Sequence, residues 1–453
     1  MIKHPPKFDP NWPHAVKGSE HESLYWKLFS QVDSKGRYLH WDEYRHRFDA
    51  KLKPTIAWSV VKSARQPSRQ FLYELPNSTD KRFLSINTIP SINRRCSFVD
   101  RWCSGPAFNA MINSMDALQY LIEDLDEEES IASSQLEGAA TTRKVAKEML
   151  QTKREPRSKD EKMILGNFKM MNFVWEMRNE DLNLNLIKQL HAIGTEDIDD
   201  EHYFPGEFRK SNDVVVTDYD DNILHQPPDT KELNFRLKLI CNFANKKHQE
   251  LDTNEYLHPM VKAIVLHFCI GYEHPFHDGN GRVARALYYW YLFKCGYKSF
   301  RYISISALLK QADTKYGKSY LYTESDDHDL TYFIDYQCQV IERAVNNFVS
   351  FVQRSITERH QFDQWMYESR LMSVLNTRQS LIVSMIASGR QTVFVVKELQ
   401  ERFSVSNNTT RNDLEQLADL GFLIRQRQGR SVIYRGEPGY SKIRKIWDKV
   451  KSD

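Results

Sequence analysis

His274-Pro-Phe-His-Asp-Gly-Asn-Gly-Arg-Val-Ala-Arg285 decides how this chain is read. The stretch holds a proton acceptor, a hard-metal ligand, a glycine-flanked turn and two arginines. Before it, residues 259–272 place apolar side chains at helical spacing, with Pro259 at a position that a first helical turn tolerates. Pro275 disfavours helical backbone at His274, so the helix stops there and presents the imidazole at its mouth. Phe276 is apolar in a polar loop and reads as a peg into the core. Gly279 and Gly281 flank Asn280 and permit positive φ and close backbone approach. A second helix then runs from near Arg282 to Gly296, a C-terminal stop. The loop therefore sits at a helix N-terminus, where free amides and the dipole favour an anion.

Arg282 and Arg285 are three apart on that first turn and share one face. Cations there oppose the helix dipole, an arrangement that makes sense if a polyphosphate occupies the site. Asp278 can hold a hard cation such as magnesium, which keeps several waters and bridges phosphates. His274 can take a proton near neutral pH. A plain helical corner with solvated charges explains neither the unfavourably placed arginines nor the Asp and His beside them.

The stretch matches in full the pattern H-x-F-x-[D/E]-G-N-G-R-x-x-R, and in this it resembles the Fic family. The resemblance, weaker outside the stretch, extends over residues 107–350. It implies a mainly α fold: a Fic-type helical core with a β-hairpin flap. It implies a nucleotidyltransferase that moves AMP from ATP to a protein hydroxyl (AMPylation). His274 would take the hydroxyl proton and Asp278 would hold Mg2+. Gly279, Asn280 and Gly281 would cradle the phosphates, and Arg282 and Arg285 would neutralise them. Upstream, Ser133-Ser-Gln-Leu-Glu137-Gly138 matches the family's [S/T]-x-x-x-E-[G/N] inhibitory helix, in which the glutamate pairs with the second motif arginine, here Arg285. Read without the family, Glu137 is an exposed carboxylate at a glycine-capped helix end, where the dipole gives it nothing. Val214, Val215 and Val216, a polar turn at Asp218–Asn222, and Ile223-Leu224 form a hairpin signal. Alone it is a surface hairpin; in the family it is the flap that positions the target. Tyr316 and Tyr320 lie where the family contacts adenine, and Tyr320 fits the position better.

Composition sets wider bounds. The chain has 453 residues, 41% hydrophobic and 27% charged, ordinary for globular protein in two or three domains. No apolar run is long enough to span a bilayer, so no membrane partner is expected, and the N-terminal stretch lacks a secretory core. Six cysteines show no close-paired metal spacing and suit a reducing, cytoplasmic setting. Net charge is +3, but residues 376–453 carry +6 and the rest −3.

In order, residues 1–106 form a flanking region with no legible chemistry, closed by a linking segment over 85–105 that Pro90, Gly105 and Pro106 interrupt. Residues 107–350 are the catalytic domain. The acidic run at 123–130 reads as a solvated helix face. Residues 351–377 read as a helical connector, 378–436 as a winged helix-turn-helix, and 437–453 as a basic tail. In the winged helix, Thr409, Thr410, Arg411 and Asn412 would begin the recognition helix, with Arg425, Arg427 and Arg430 on the wing. DNA contact and protein contact are equally compatible with that pattern.

The reading is an autoinhibited Fic-type adenylyltransferase with ATP as substrate and Mg2+ as cofactor. Its partners would be a target protein bearing a Ser, Thr or Tyr hydroxyl, the chain itself by self-modification, and DNA or a protein through the C-terminal domain. A homodimer is left open. The alternatives are removal of AMP, transfer of another nucleotide, and a DNA-binding regulator whose core only senses nucleotide.

Overall fold

A computed structural model describes residues 2–75, 82–106, 108, 126–198, 203–217, 220, 222–248, 255–389, 391–428 and 431–452. The turn positions 218, 219 and 221 of the hairpin and Arg430 of the wing lie outside the described residues. So do positions 107 and 109–125 of the upstream helical pattern.

Two helices at the centre, Pro259–Glu273 and Asn280–Lys294, are apolar on nearly every side. All residues from Met260 to Ile270 and from Arg282 to Phe293 are buried. A helix buried all round must be enclosed by others. Lys159–Glu176, Leu184–Thr195, Thr230–Asn245, Pro90–Cys103 and the first half of Thr331–Glu368 enclose this pair.

The segment 85–105 is not a linker. It supplies strand Arg82–Asn87, paired antiparallel with Arg69–Leu75, and helix Pro90–Cys103. Pro90 starts that helix instead of breaking it, because the first turn needs no amide donor. Ile92, Cys96, Val99 and Cys103 make one buried stripe of the main core. Further upstream, residues 12–61 keep small cores of their own. They are tied to residues 322–332 by several contacts: Lys62 pairs with Asp326 (2.8 Å) and Asp327 (3.0 Å), Arg65 donates to the Tyr332 hydroxyl (2.7 Å), Tyr38 donates to Asp329, and His40 stacks on Tyr322.

Helix Asp126–Leu136 lies against Lys159–Glu176 and Arg143–Thr152. The acidic run within it is not a solvated face, since Glu129 and Ser130 are buried. Glu129, Ser133 and Glu137 fall at i, i+4 and i+8, on one stripe that faces the core.

The connector is the second half of one continuous 38-residue helix, Thr331–Glu368, whose Phe362 and Met366 enter the C-terminal core. There, helices Thr377–Ala387, Val396–Phe403 and Asn407–Asp419 carry a three-stranded sheet in the order Val393–Phe394, Ser431–Arg435, Ile424–Gln428. The basic tail is itself a helix, Tyr440–Ser452. Its Ile443 and Trp447 complete the same core, so its charges occupy only the outer face. Among the described residues no helix is long and apolar enough to cross a membrane.

Candidate active site

The loop between the two central helices is built as a closed turn. Helix Pro259–Glu273 ends at His274, which adopts φ 46, a left-handed cap; the following proline disfavours continuing the helix through it. The His274 ring is half-buried, and its Nδ1 faces the Gly271 carbonyl at 3.2 Å. That carbonyl can only accept, so Nδ1 carries the hydrogen and Nε2 keeps the lone pair. Burial pushes the imidazole down to about 4 rather than leaving it near neutrality; the Gly271 carbonyl only partly offsets this. The ring is therefore a neutral acceptor at physiological pH.

Phe276 is fully buried. Asn280 closes the loop on itself. Its Oδ1 accepts from the Phe276 amide and its Nδ2 donates to the Phe276 carbonyl, both at 2.9 Å. These two bonds close the loop and use one of the two Nδ2 hydrogens. Gly279 takes φ +77, which a side chain would resist. The Asp278 carboxylate accepts from the Gly279 amide and from the Tyr203 hydroxyl.

Arg282 and Arg285 leave one helical face but reach different neighbours. Arg282 is 2% exposed and donates from Nη1 to the Gly194 carbonyl at 2.9 Å; its Nε and Nη2 are buried with no hydrogen-bond partner among the described residues. The Tyr203 ring lies 5.5 Å from its guanidinium. Arg285 is 1% exposed and fully engaged. Nε donates to Ser133 Oγ (2.8 Å), and Nη2 donates to the Ser133 carbonyl (3.2 Å) and to Glu137 Oε1 (2.8 Å). Two charges that each oppose a helix dipole, Glu137 at one C-terminal end and Arg285 near an N-terminal one, satisfy each other. Gly138 then turns the chain away at φ +97. Glu137 comes so close to Gly281 that no Cβ fits there. Farther up the same stripe, Glu129 accepts from Ser304 Oγ (2.7 Å), Ser306 N (3.1 Å) and Ser306 Oγ (2.5 Å), which seats the helix on the domain.

Other positions differ from expectation. Tyr320 stacks on Phe268 (5.1 Å between centroids) and lies tilted against Phe333 (4.5 Å), with its hydroxyl against Gly271. Tyr316 is the tyrosine that reaches the motif, its hydroxyl bonded to Arg285 and to His267 Nε2 (2.8 Å). The hairpin strand begins at Val216; Val214 and Val215 precede it, and Val216–Thr217 pairs with Ile223–His225 across a bulge. His225 anchors the hairpin: Nε2 faces the Tyr272 carbonyl and Nδ1 the Glu324 carboxylate, both at 2.7 Å. Burial disfavours its charge, but the carboxylate outweighs that and holds its pKa above the ordinary value. In the winged helix, Thr410 is 1% exposed and bonded to the Ser406 carbonyl, so it faces inward. Arg411, Arg425 and Arg427 are on the surface.

Sequence reasoning missed His191, Arg209, Tyr203 and Glu129. Arg209 donates from Nε to the His274 carbonyl (2.9 Å), and its amide donates to the Pro275 carbonyl (2.8 Å). His191 holds the other end of the loop; burial pushes its imidazole down to about 4. Nothing local marks His191, Tyr203 and Arg209, because each acts on a loop about 65 to 90 positions away; Glu129 acts on Ser304 and Ser306, 175 and 177 positions away.

The family described as Fic/DOC matches residues 181–292, and a DeoR-like helix-turn-helix domain matches residues 378–435. The chain thus joins a Fic/DOC domain to a C-terminal DeoR-like helix-turn-helix domain. It is similar to the protein adenylyltransferase Fic of Nematostella vectensis, 24% identical over 229 residues, covering 48% of this chain and 47% of that protein. It is also similar to the protein adenylyltransferase Fic of Aedes aegypti, 29% identical over 129 residues, covering 28% of this chain and 23% of that one. The chain thus spans half or less of these relatives. Among solved structures, a Fic family protein from Desulfovibrio desulfuricans G20 overlaps 77% of this chain and 97% of its own, at 18% identity and a TM-score of 0.49.

Proposed function

We propose that the chain is a protein adenylyltransferase restrained by Glu137. The observation that supports this best is the pair of arginines: one buried with free donors, the other buried and occupied by a carboxylate. A buried guanidinium lacking partners is costly unless an anion completes it. The phosphates of ATP would fill the Arg282 donors and replace Glu137 at Arg285. The absence of a side chain at Gly281 leaves its backbone amide open to phosphate, while the Gly279 amide is held by Asp278.

A magnesium ion suits the donor set. Among the described residues no cluster of three or more His, Cys, Asp or Glu could cage a metal alone, and magnesium is commonly held by one carboxylate plus substrate phosphates. Asp278 would hold it, and the ion would offset phosphate charge. The target hydroxyl oxygen would bond to the α-phosphorus while the bond to the bridging oxygen breaks and pyrophosphate leaves. The hydroxyl proton would pass to His274 Nε2, whose lone pair the Gly271 carbonyl fixes. Most of the rate would come from positioning and electrostatics. The hairpin at 216–225 would present the target backbone.

In this reading helix Asp126–Leu136 withholds Arg285 from the terminal phosphate until it moves. The winged helix would engage duplex DNA through Arg411, Arg425 and Arg427, since these are its surface cations beside the recognition helix and wing. Intact-mass measurement after incubation with ATP and Mg2+ tests the whole reading. Glu137→Gly should add one AMP to the chain or to a lysate protein faster than the parent does. No mass gain from a folded Glu137→Gly variant that binds ATP overturns it.

A further inference from the structure

His191 lies on helix Leu184–Thr195, outside the twelve-residue motif, yet it touches that loop at three points. Its ring lies flat on Phe276, 3.8 Å between centroids and 3° between planes. The Gly206 amide donates to Nδ1 at 3.0 Å, so the ring hydrogen sits on Nε2. Nε2 donates in turn to the Asp278 carbonyl at 2.9 Å. The ring edge also bounds Gly279, where an added Cβ would meet it at 3.3 Å. The same helix ends at Gly194, whose carbonyl accepts from Arg282.

These contacts answer a question that the motif leaves open. A peptide before a glycine has little intrinsic preference, since Gly279 tolerates either sign of φ. The Asp278–Gly279 peptide plane decides where the Asp278 carboxylate points and where the next helix begins. Within the motif only the Asp278 carboxylate itself touches that plane, at the Gly279 amide; from outside the motif His191 holds its carbonyl, through one hydrogen bond whose direction its other nitrogen dictates. We propose that His191 is a positioning residue for nucleotidyl transfer, which fixes the Asp278 peptide so that the carboxylate faces a divalent cation. This rests on the transfer reading above. Partners of this kind, one step behind a ligand, typically change affinity or activity by about ten- to a hundredfold.

The test compares His191→Phe and His191→Gln in a full-length Glu137→Gly background, with His274→Ala as control. Phe keeps the stack on Phe276 and loses both hydrogen bonds. Gln loses the stack but carries an amide nitrogen at the Nε2 position. The readouts are amide exchange over residues 275–281 without nucleotide, Mg2+-dependent ATP binding by calorimetry, transfer rate, and melting temperature. His191→Phe should stay folded, exchange faster in the loop, need about tenfold more Mg2+ for half-saturation, and transfer about tenfold more slowly. His191→Gln should recover to within about threefold of the parent. A His191→Phe protein matching the parent in exchange, Mg2+ response and rate overturns the inference, as does a folded His191→Gln protein as impaired as His191→Phe. Transfer that survives His274→Ala would instead overturn the underlying reading.

Discussion

Arg282 and Arg285 in the catalytic core and Arg411, Arg425 and Arg427 in the winged helix are one side chain in opposite circumstances. The first two are 2% and 1% exposed, at the start of a buried helix. The other three stand in solvent. Removing a guanidinium from water is costly, so each buried one must be matched by a partner or a ligand. Arg285 has Ser133 and Glu137; Arg282 has two buried donors left over. A surface arginine carries no such debt, and Arg425 needs only a loose neighbour, Glu415 at 3.7 Å. The buried pair therefore specifies an anion of defined shape, while the surface set specifies only a sign of charge.

The sharpest way to break this contrast is at the group beside the buried pair. His274→Ala should lower transfer by about 10²–10⁴-fold, the usual share of a positioned base, with ATP binding nearly intact by calorimetry. Transfer near the parent rate would remove His274 from that role. The parent's acid limb should fall well below pH 6.5, because burial holds the imidazole near 4; the base form is lost only as pH drops through that lower value.

Next comes the pair itself. Glu137→Gly should raise self-modification by at least about tenfold, which corresponds to roughly 1.4 kcal/mol of released restraint. Arg285→Ala should not imitate it, since the restraint and the phosphate ligand go together. The double variant should then follow Arg285→Ala. An active Arg285→Ala protein would show that the arginine serves only the helix.

Effects at the surface set should be smaller and of a different kind. If duplex DNA is the partner, Arg411→Ala should weaken binding alike across sequences and reduce the salt slope of log K by about one. An unchanged slope, measured by titration at several salt concentrations, would remove Arg411 from the phosphate contacts. Thr410→Val, at the buried neighbour, should leave DNA binding alone. It should cost about 1 kcal/mol of stability in denaturant melts, through the lost hydrogen bond to Ser406. Loss of DNA binding in a folded Thr410→Val protein would place that residue back on the reading face.

Glu129 shows why part of the site stayed hidden in the sequence. Within a run of acids it looks like its neighbours, and only the partners at Ser304 and Ser306 distinguish it. Its spacing to Ser133 and Glu137 was nonetheless visible, and that stripe was the one local signal available. Asn280 shows the reverse. Its place in the motif was plain, but its amide closes on Phe276 four residues earlier, a contact that motif order does not reveal. Pro90 misled because a proline interrupts a helix or starts one, and only packing of the residues after it decides which.

By itself the sequence determined the loop at 274–285, the helices on either side, the candidate restraint at Glu137 and the winged helix at the C-terminal end. The loop, its helices and the winged helix follow from short-range rules: proline stops, glycine turns, apolar periodicity and charges placed against a dipole; the restraint at Glu137 came only from the resemblance to the Fic family. Tertiary structure alone decided that His191, Arg209, Tyr203 and Tyr316 surround that loop. It also placed Tyr320 against Phe268 and Phe333 and turned Thr410 inward. The physical reason is that a buried polar group must find its partner wherever the fold supplies one. For a loop enclosed by helices, that supply comes from segments distant in the chain.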